Sequence, residues 1–281
     1  MSIFDVLVEQ AVSKNTEYPA LRNVIEKELL HQDIVRVMNE NGYLKKLTFM
    51  GGTCLRGCYD SPRMSEDLDF TGGFDFSKDD ISDLGSVIRQ SIMKKYALPV
   101  SVTEPEKEAG NTDTWKIKIV TRPERSDLPA QKINIDICRL PSHERSVSMV
   151  RDRYGVNMGA EGILLYVESL QEILCDKLIA FARRPNRVKN RDLWDIHWLA
   201  QKNVSVNKEL LSKKLSDRQI SEKEFSVQYK ERIDSIKDGQ KDFLFEMRRF
   251  LLPSAFSPQF TSDMWWQYLL NLLSHMEMLH D

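Results

Sequence analysis

Hydrophobic residues recur with two different periods in the first 160 positions. Apolar side chains three or four residues apart run through 18–41 and 78–96, which predicts two amphipathic helices. A short apolar run at 47–50 and the extended segment 67–70 predict two strands, and alternation at 114–120 and 132–137 predicts two more.

From Ser169 onward the spacing is helical to the end of the chain. Mixed strands and helices therefore come first, and helices alone follow. This order predicts an α+β (α/β) fold, with a mixed sheet and its helices followed by an all-helical lobe. We place the boundary near Gly162, which divides the chain into a first lobe, 1–162, and a helical lobe, 163–281.

The composition limits the classes of function. The 281 residues are 41% hydrophobic and 29% charged, with a formal net charge of −2, so a globally basic nucleic-acid binder is excluded and RNA contact needs a local patch. Because there is no apolar leader and no apolar run of 18 residues, we expect no membrane span and a cytoplasmic location. The cysteines suggest neither a zinc site nor a disulfide framework; they are Cys54, Cys58, Cys138 and Cys175.

A double glycine follows the first predicted strand. Gly51 and Gly52 form a tight turn with open backbone N–H groups, and Thr53 is predicted to cap a short helix over 54–59. The positive end of that helix favours phosphate, and the Thr53 hydroxyl is a candidate ligand of a β- or γ-phosphate. The alternative is an ordinary strand-to-helix turn with a threonine cap.

An acidic pair lies on the second predicted strand. Asp67 and Asp69 share one face of an extended segment, where two carboxylates converge on one cation. Oxygen ligands suit Mg²⁺ or Mn²⁺, with substrate phosphates completing the coordination. The alternative is a solvated strand edge. Just before the pair, Ser65 is a second candidate phosphate ligand, whereas Arg63 fits a surface position equally well.

A third carboxylate is predicted on a neighbouring strand. In 132–137 the isoleucines share one face, and Asp136 shares the other with Asn134. Asp136 is therefore a candidate third metal ligand, or the base that takes a proton from an attacking hydroxyl. The alternative is a half-solvated antiparallel strand with its polar residues outward.

A lysine lies on an apolar helix stripe. Ser169 and Glu172 have the spacing of a capping box, and Lys177 falls on the stripe of the helix that follows. A lysine facing a core needs an anionic partner, such as a triphosphate or a metal-bound carboxylate. The alternative is that its amine reaches water from the edge of the stripe.

A basic run, 183–191, leads into a second acidic pair. Arg191 closes this run, which is either a solvated loop or a receiver of phosphates. Asp192 and Asp195 then fall on one helix face, and the alternative for Asp192 is simple placement near a helix N-terminus. We assign His197 to packing.

These motifs together resemble the AbiEii/MenT nucleotidyltransferase-like toxins. The resemblance spans about residues 26–199 and includes Glu26-Lys27-Glu28; its other motifs are Gly51-Gly52-Thr53-x-Leu55, Arg63-x-Ser65-Glu66-Asp67-Leu68-Asp69, Asp136, Lys177, and Arg187-x-x-x-Arg191-Asp192-x-x-Asp195. It implies a two-lobed nucleotidyltransferase-like fold and Mg²⁺-dependent transfer of nucleotides from an NTP. Some members modify the 3′ end of tRNA and are opposed by a cognate antitoxin, so we expect an NTP substrate, an RNA acceptor and an antitoxin partner.

The resemblance also implies roles for individual residues. Asp67 and Asp69 would bind the metal with Asp136, Lys177 would bind the triphosphate, and Asp192 or Asp195 would be a further essential acid. The helical lobe would thus supply a lysine and acids to the cleft. The predicted nucleotide-binding residues are Gly51, Gly52, Thr53, Arg63, Ser65, Lys177 and Arg191.

Two other functions remain open from the sequence. One is a nucleotide-binding sensor without turnover, which would use its helical tail to bind a partner protein. The other is a metal-dependent nuclease, which also needs clustered carboxylates but has less use for a phosphate-binding glycine turn.

Overall fold

The computed structural model describes residues 2–106, 110–125, 127–185 and 187–278, and these divide into two compact units, 1–167 and 168–281. The helices of the first unit are α1 (Ile3–Val12), α2 (Arg22–Glu40), α3 (Gly51–Cys58) and α4 (Leu84–Tyr96). Its strands are β1 (Thr48–Met50), β2 (Leu68–Thr71), β3 (Val100–Thr103), β4 (Thr112–Ile119), β5 (Gln131–Cys138), β6 (Arg145–Met149) and β7 (Leu164–Glu168).

The second unit is helical after the end of β7, as the spacing predicts. Its helices are α5 (Leu170–Arg183), α6 (Asn190–Gln201), α7 (Lys208–Asp217), α8 (Glu222–Ser235), α9 (Gln240–Met247) and α10 (Asp263–Met278). Ser169 caps α5 by accepting a hydrogen bond from the N–H of Glu172 at 3.1 Å. No helix within the described ranges combines the length and apolar content that a membrane crossing requires.

The seven strands form one mixed sheet in the order β3-β4-β5-β2-β1-β7-β6. β1 pairs antiparallel with β2 and parallel with β7, and β2 pairs parallel with β5. The fold class is therefore confirmed. The sequence pattern missed β3, β6 and β7; in β6 four of the five residues are exposed, so no alternation between buried and exposed positions marks the strand.

The sheet has a buried apolar face and a polar face. The buried face carries the isoleucines of β5, and the rings of Phe49 and Phe70 stack on it at 4.9 Å. The polar face is defined by the residues between these positions: Asp69, Thr114, Lys116, Asn134 and Asp136. Since successive side chains alternate, the polar residues of neighbouring strands all point to this second face.

Some predicted helices begin differently in the structure. The helix predicted at 18 begins as a 3₁₀ turn, Tyr18–Leu21, before α2. The helix predicted at 54 begins at Gly51, because Gly51 adopts φ +72° and turns the chain directly from β1 into α3. Thr53 therefore lies inside the first turn and caps nothing.

A buried ion pair holds the loop between α3 and β2. Glu28 of α2 accepts hydrogen bonds from the Arg56 Nε at 3.2 Å and from the backbone N–H of Ser65 at 2.8 Å. Arg56 also donates to the carbonyl oxygens of Ser61 and Pro62, at 3.1 and 3.3 Å. The Tyr154 hydroxyl donates to Glu28 as well. This network sets the path of the chain into Asp67 and β2.

We expect Glu28→Gln to lower the free energy of unfolding by about 3–5 kcal/mol, because it leaves the Arg56 guanidinium buried without its counter-charge. Denaturant unfolding measures the loss. Glu40→Gln is the matched control, since Glu40 pairs with Arg36 on the exposed side of the same helix and such pairs are worth under about 1 kcal/mol. Equal effects of the two substitutions would contradict the assignment.

Candidate active site

Two carboxylates stand side by side on the polar face. Asp69 of β2 and Asp136 of β5 are register partners in the parallel pair, so their backbones are about 4.8 Å apart and their side chains point the same way. Both residues are half-buried. The Thr114 hydroxyl donates to Asp136 Oδ1 at 2.7 Å and so fixes one oxygen of that carboxylate.

Asp67 lies one residue before β2, two positions from Asp69. Its Oδ1 accepts a hydrogen bond from the backbone N–H of Asn134 at 3.3 Å. The three predicted metal ligands therefore come from the adjoining strands β2 and β5 and from the residue that precedes β2. In the part of the chain that the structure describes, no three His, Cys, Asp or Glu side chains are grouped closely enough to hold a metal ion.

A divalent cation nevertheless fits the donors present. Asp69 and Asp136 offer oxygen ligands only, and their register places them as neighbours. Mg²⁺ is commonly held by one or two carboxylates, with water and substrate phosphates completing the shell. Two adjacent carboxylates satisfy that requirement without a closed three-residue cluster, and Asp67 as a third ligand stays a prediction.

The double glycine lies directly against this site. A Cβ on Gly51 would come within 2.7 Å of Asp69 Oδ2, and one on Gly52 would overlap the Arg63 guanidinium. A side chain at either position would therefore displace one of these groups, and Gly51 also needs glycine for its positive φ. The turn leaves the first N–H groups of α3 next to the Asp69 carboxylate, where the helix dipole favours anions.

The other predicted phosphate ligands belong to the internal network of the loop. The Thr53 hydroxyl donates to Ser65 Oγ at 2.6 Å and contacts the carbonyl oxygen of Asp67. Arg63 is only 2% exposed and donates to the carbonyl oxygen of Met64 at 2.8 Å. The alternative that Arg63 lies at the surface is therefore wrong. These residues shape the turn and the start of β2.

A second charged cluster lies within the helical unit. Lys177 Nζ of α5 is 2.7 Å from Asp192 Oδ1 and 2.9 Å from Asp195 Oδ2, both on α6. Arg184 contacts the other oxygen of Asp192 at 3.0 Å. The lysine on the apolar stripe therefore has its anionic partners, and the partners are the two aspartates that the sequence singled out.

The pKa of Asp192 reflects this cluster. Burial alone would raise it, but the charges of Lys177 and Arg184 outweigh burial and lower the pKa to about 2. Asp192 is therefore an anion at neutral pH, and Asp195 is completely buried beside the same amine. The two carboxylates of α6 thus hold the Lys177 amine between α5 and α6.

The remaining predicted residues of this unit have packing contacts. The Arg191 guanidinium lies 4.9 Å from the centre of the Phe250 ring, and its Nε is 3.6 Å from Glu246 of α9. His197 is buried beside the rings of Trp194 and Trp265, at 5.7 and 5.1 Å, and burial lowers its pKa to about 4. A neutral histidine in an aromatic cluster agrees with packing.

Sequence reasoning missed the residues that support the site. The sequence pattern assigns no role to Arg56, and it includes Glu28 only through the family motif. A glutamate among the apolar positions of α2 is nevertheless the same kind of signal that indicated a role for Lys177. Thr114 was read only as a strand residue, because its bond to Asp136 depends on the register of β4 against β5.

Comparisons with known proteins identify the family of this chain. The model of the nucleotidyl transferase AbiEii toxin family, a type IV toxin–antitoxin system, matches residues 33–263. MenT4, a nucleotidyltransferase toxin from Mycobacterium tuberculosis, is similar over 97% of this chain and 98% of its own, with 12% identity and a TM-score of 0.54. JHP933 from Helicobacter pylori is similar over 92% of this chain and 91% of its own, with 17% identity and a TM-score of 0.49.

A search of curated protein sequences finds no match. At 12% identity, the likeness to MenT4 shows a shared nucleotidyltransferase fold and nothing about substrates. The family match covers most of the chain and includes both acidic clusters. The chain therefore belongs to the AbiEii nucleotidyltransferase toxin family and is a nucleotidyltransferase.

Proposed function

We propose that this enzyme transfers nucleotides from an NTP to an RNA acceptor, the 3′ end of a tRNA, in a Mg²⁺- or Mn²⁺-dependent reaction that releases pyrophosphate. The observation that carries the proposal is the side-by-side placement of Asp69 and Asp136 on the polar face, with the Gly51 turn against Asp69. Paired carboxylates next to a phosphate-binding turn suit the transfer of a phosphoryl group.

Each residue has a proposed role. Asp69 and Asp136, with Asp67, would hold the divalent metal, which when bound would offset charge on the attacking and leaving oxygens. The N–H groups of the Gly51-Gly52 turn would orient the β- and γ-phosphates. Alternatively, Asp136 would be the base that takes the proton from the acceptor hydroxyl.

The charged cluster of the helical unit has a proposed part in the same reaction. Lys177 would bind the triphosphate, and Asp192 and Asp195 would act as positioning residues that hold its amine in place. Arg191 stays a proposed nucleotide ligand through its charge. We place the enzyme in the cytoplasm, opposed by an antitoxin as its type IV toxin–antitoxin family implies.

We expect Asp69→Asn and Asp136→Asn each to lower nucleotide transfer by at least about a hundredfold, because each removes a metal-binding charge at the reacting centre. The assay incubates tRNA with Mg²⁺ and each labelled NTP in turn and scores the length of the RNA. Asp79→Asn is the control, an exposed acid of the same unit.

The same assay separates the alternatives. Full label incorporation by Asp69→Asn would refute the metal-site assignment. RNA shortening without added NTP would indicate a nuclease, and tight NTP binding measured by calorimetry with no product would indicate a sensor.

Gly51→Ala tests the contact between the turn and the carboxylate. We expect a loss of about 1–2 kcal/mol in stability from the positive φ, and at least tenfold lower transfer because the added Cβ displaces Asp69. Gly73→Ala is the matched control: its φ is +80°, but an added Cβ there meets nothing within 4 Å. Equal activity of the two variants would show that Gly51 serves the backbone alone.

Asp192→Asn tests the charged cluster by its pH dependence. Because the pKa of Asp192 in the fold, about 2, lies below its usual 3.8, its charge stabilises the fold above pH 4 by about 2 kcal/mol. That stabilisation disappears as the pH falls from about 4 to about 2. The variant should thus lose stability at pH 7 and converge with the parent near pH 2 in denaturant unfolding. Asp238→Asn, at an exposed acid of the same unit, should follow the parent throughout.

A further inference from the structure

Three lysines form a row on the polar face of the sheet. Lys116 and Lys118 lie on β4, and Lys132 lies on β5 directly opposite Lys118. The same register pairs Thr114 with Asp136, so the row shares its face with the proposed catalytic carboxylates. We call these three side chains the lysine row.

The row leads to the carboxylates. Residues on one face of a strand are about 6.8 Å apart, so the backbone of Lys116 is one such step from the Thr114–Asp136 pair. Lys118 and Lys132 are two steps away, at about 14 Å. The basic charges thus begin next to the acidic centre and extend away from it along β4 and β5.

The lysine row is not explained by the stability of the sheet. All three residues are exposed, and none forms an ion pair with any residue that the structure describes. Like charges directly opposite each other on neighbouring strands destabilise a sheet, as Lys118 and Lys132 do here. The other face of the same strands is closed by buried isoleucines, so an anionic partner has access only from the polar face.

The order of the strands separates the row from the glycine turn. In the order β4-β5-β2-β1, the paired carboxylates lie on β5 and β2. The glycine turn follows β1 on one side of them, and the lysine row lies on β4 and β5 on the other side. A triphosphate bound at the glycine turn would therefore not occupy the lysine row, and the row is available to a second polyanion.

We propose that the lysine row binds the phosphodiester backbone of the RNA acceptor and leads its end to Asp69 and Asp136; this inference rests on the proposed function, which supplies the acceptor. Lysine contacts to phosphate give affinity without sequence preference. Glu104 and Glu106 line a small cleft with Thr114 and Lys116. Because these two acids offset the charge of Lys116, Lys118 and Lys132 should contribute more to RNA affinity than Lys116.

The test compares two triple variants of the full chain. One is Lys116→Gln/Lys118→Gln/Lys132→Gln. The control, Lys14→Gln/Lys45→Gln/Lys94→Gln, removes the same charge from exposed lysines of the same unit that lie outside the strands. Binding of fluorescein-labelled tRNA without NTP is measured by fluorescence anisotropy at salt concentrations from about 50 to 200 mM, a range over which affinity for nucleic acid falls steeply. Thermal unfolding verifies that both variants are folded.

We expect the variant without the lysine row to bind tRNA at least about tenfold more weakly at low salt. The slope of log association constant against log salt concentration should be smaller in magnitude by about 2. Its KM for RNA should rise with little change in kcat or in the KM for NTP. The control should match the parent in all of these.

Equal RNA binding by the two triple variants would overturn the inference, and so would a rise in the KM for NTP alone, or a parent chain that binds no tRNA. Failure of the proposed function appears differently. In that case the parent elongates no RNA with any NTP, while the anisotropy comparison still decides whether the lysine row binds RNA.

Discussion

The buried ion pair between Glu28 and Arg56 is the interaction on which the candidate active site depends. Both side chains are removed from water, and a buried pair of this kind is tolerable only when each group is fully bonded. Here the bonds go to the loop before β2, through the N–H of Ser65 and the carbonyl oxygens of Ser61 and Pro62. A charge pair in the core thus sets where the chain enters β2, and so where Asp67 and Asp69 lie.

The alternation of side chains along the strands gives the sheet one apolar face and one polar face. Isoleucine and aromatic side chains on one face form the core of the first unit. The other face is polar, and Asp69 and Asp136 are neighbours there because β2 and β5 run parallel in register. Our proposals place the NTP on the β1 side of this pair and the RNA on the β4 side, which would bring an acceptor hydroxyl and a triphosphate to the same carboxylates.

In the helical unit, acidic side chains compensate the charges of buried lysines. Lys177 lies on an apolar stripe, where a lone charge would be costly, and Asp192 and Asp195 compensate it from the next helix. A second buried lysine, Lys214, is compensated in the same way by Glu168, Glu172 and Asp176. Because the three acids outnumber their lysine, burial and crowding raise the pKa of Glu168 well above its usual value. Charged side chains thus connect helices in this unit, beside an aromatic core.

The sequence by itself determined the fold class, the family and the positions where acids interrupt apolar patterns. Such signals are local: a period of two or 3.6, a glycine pair, or a charge on a core stripe is visible within a few residues. Asp69, Asp136 and Lys177 were found in this way.

Only the tertiary structure decided which groups meet. The start of α3 at Gly51, the bond from Thr114 to Asp136, the pairing of Lys177 with Asp192 and the lysine row all depend on register or on helix packing between residues distant in sequence. Strand β6, with four of its five residues exposed, is held by its neighbours in the sheet and not by burial of its own side chains. Long-range pairing is a property of the packed chain, so no window of local sequence contains it.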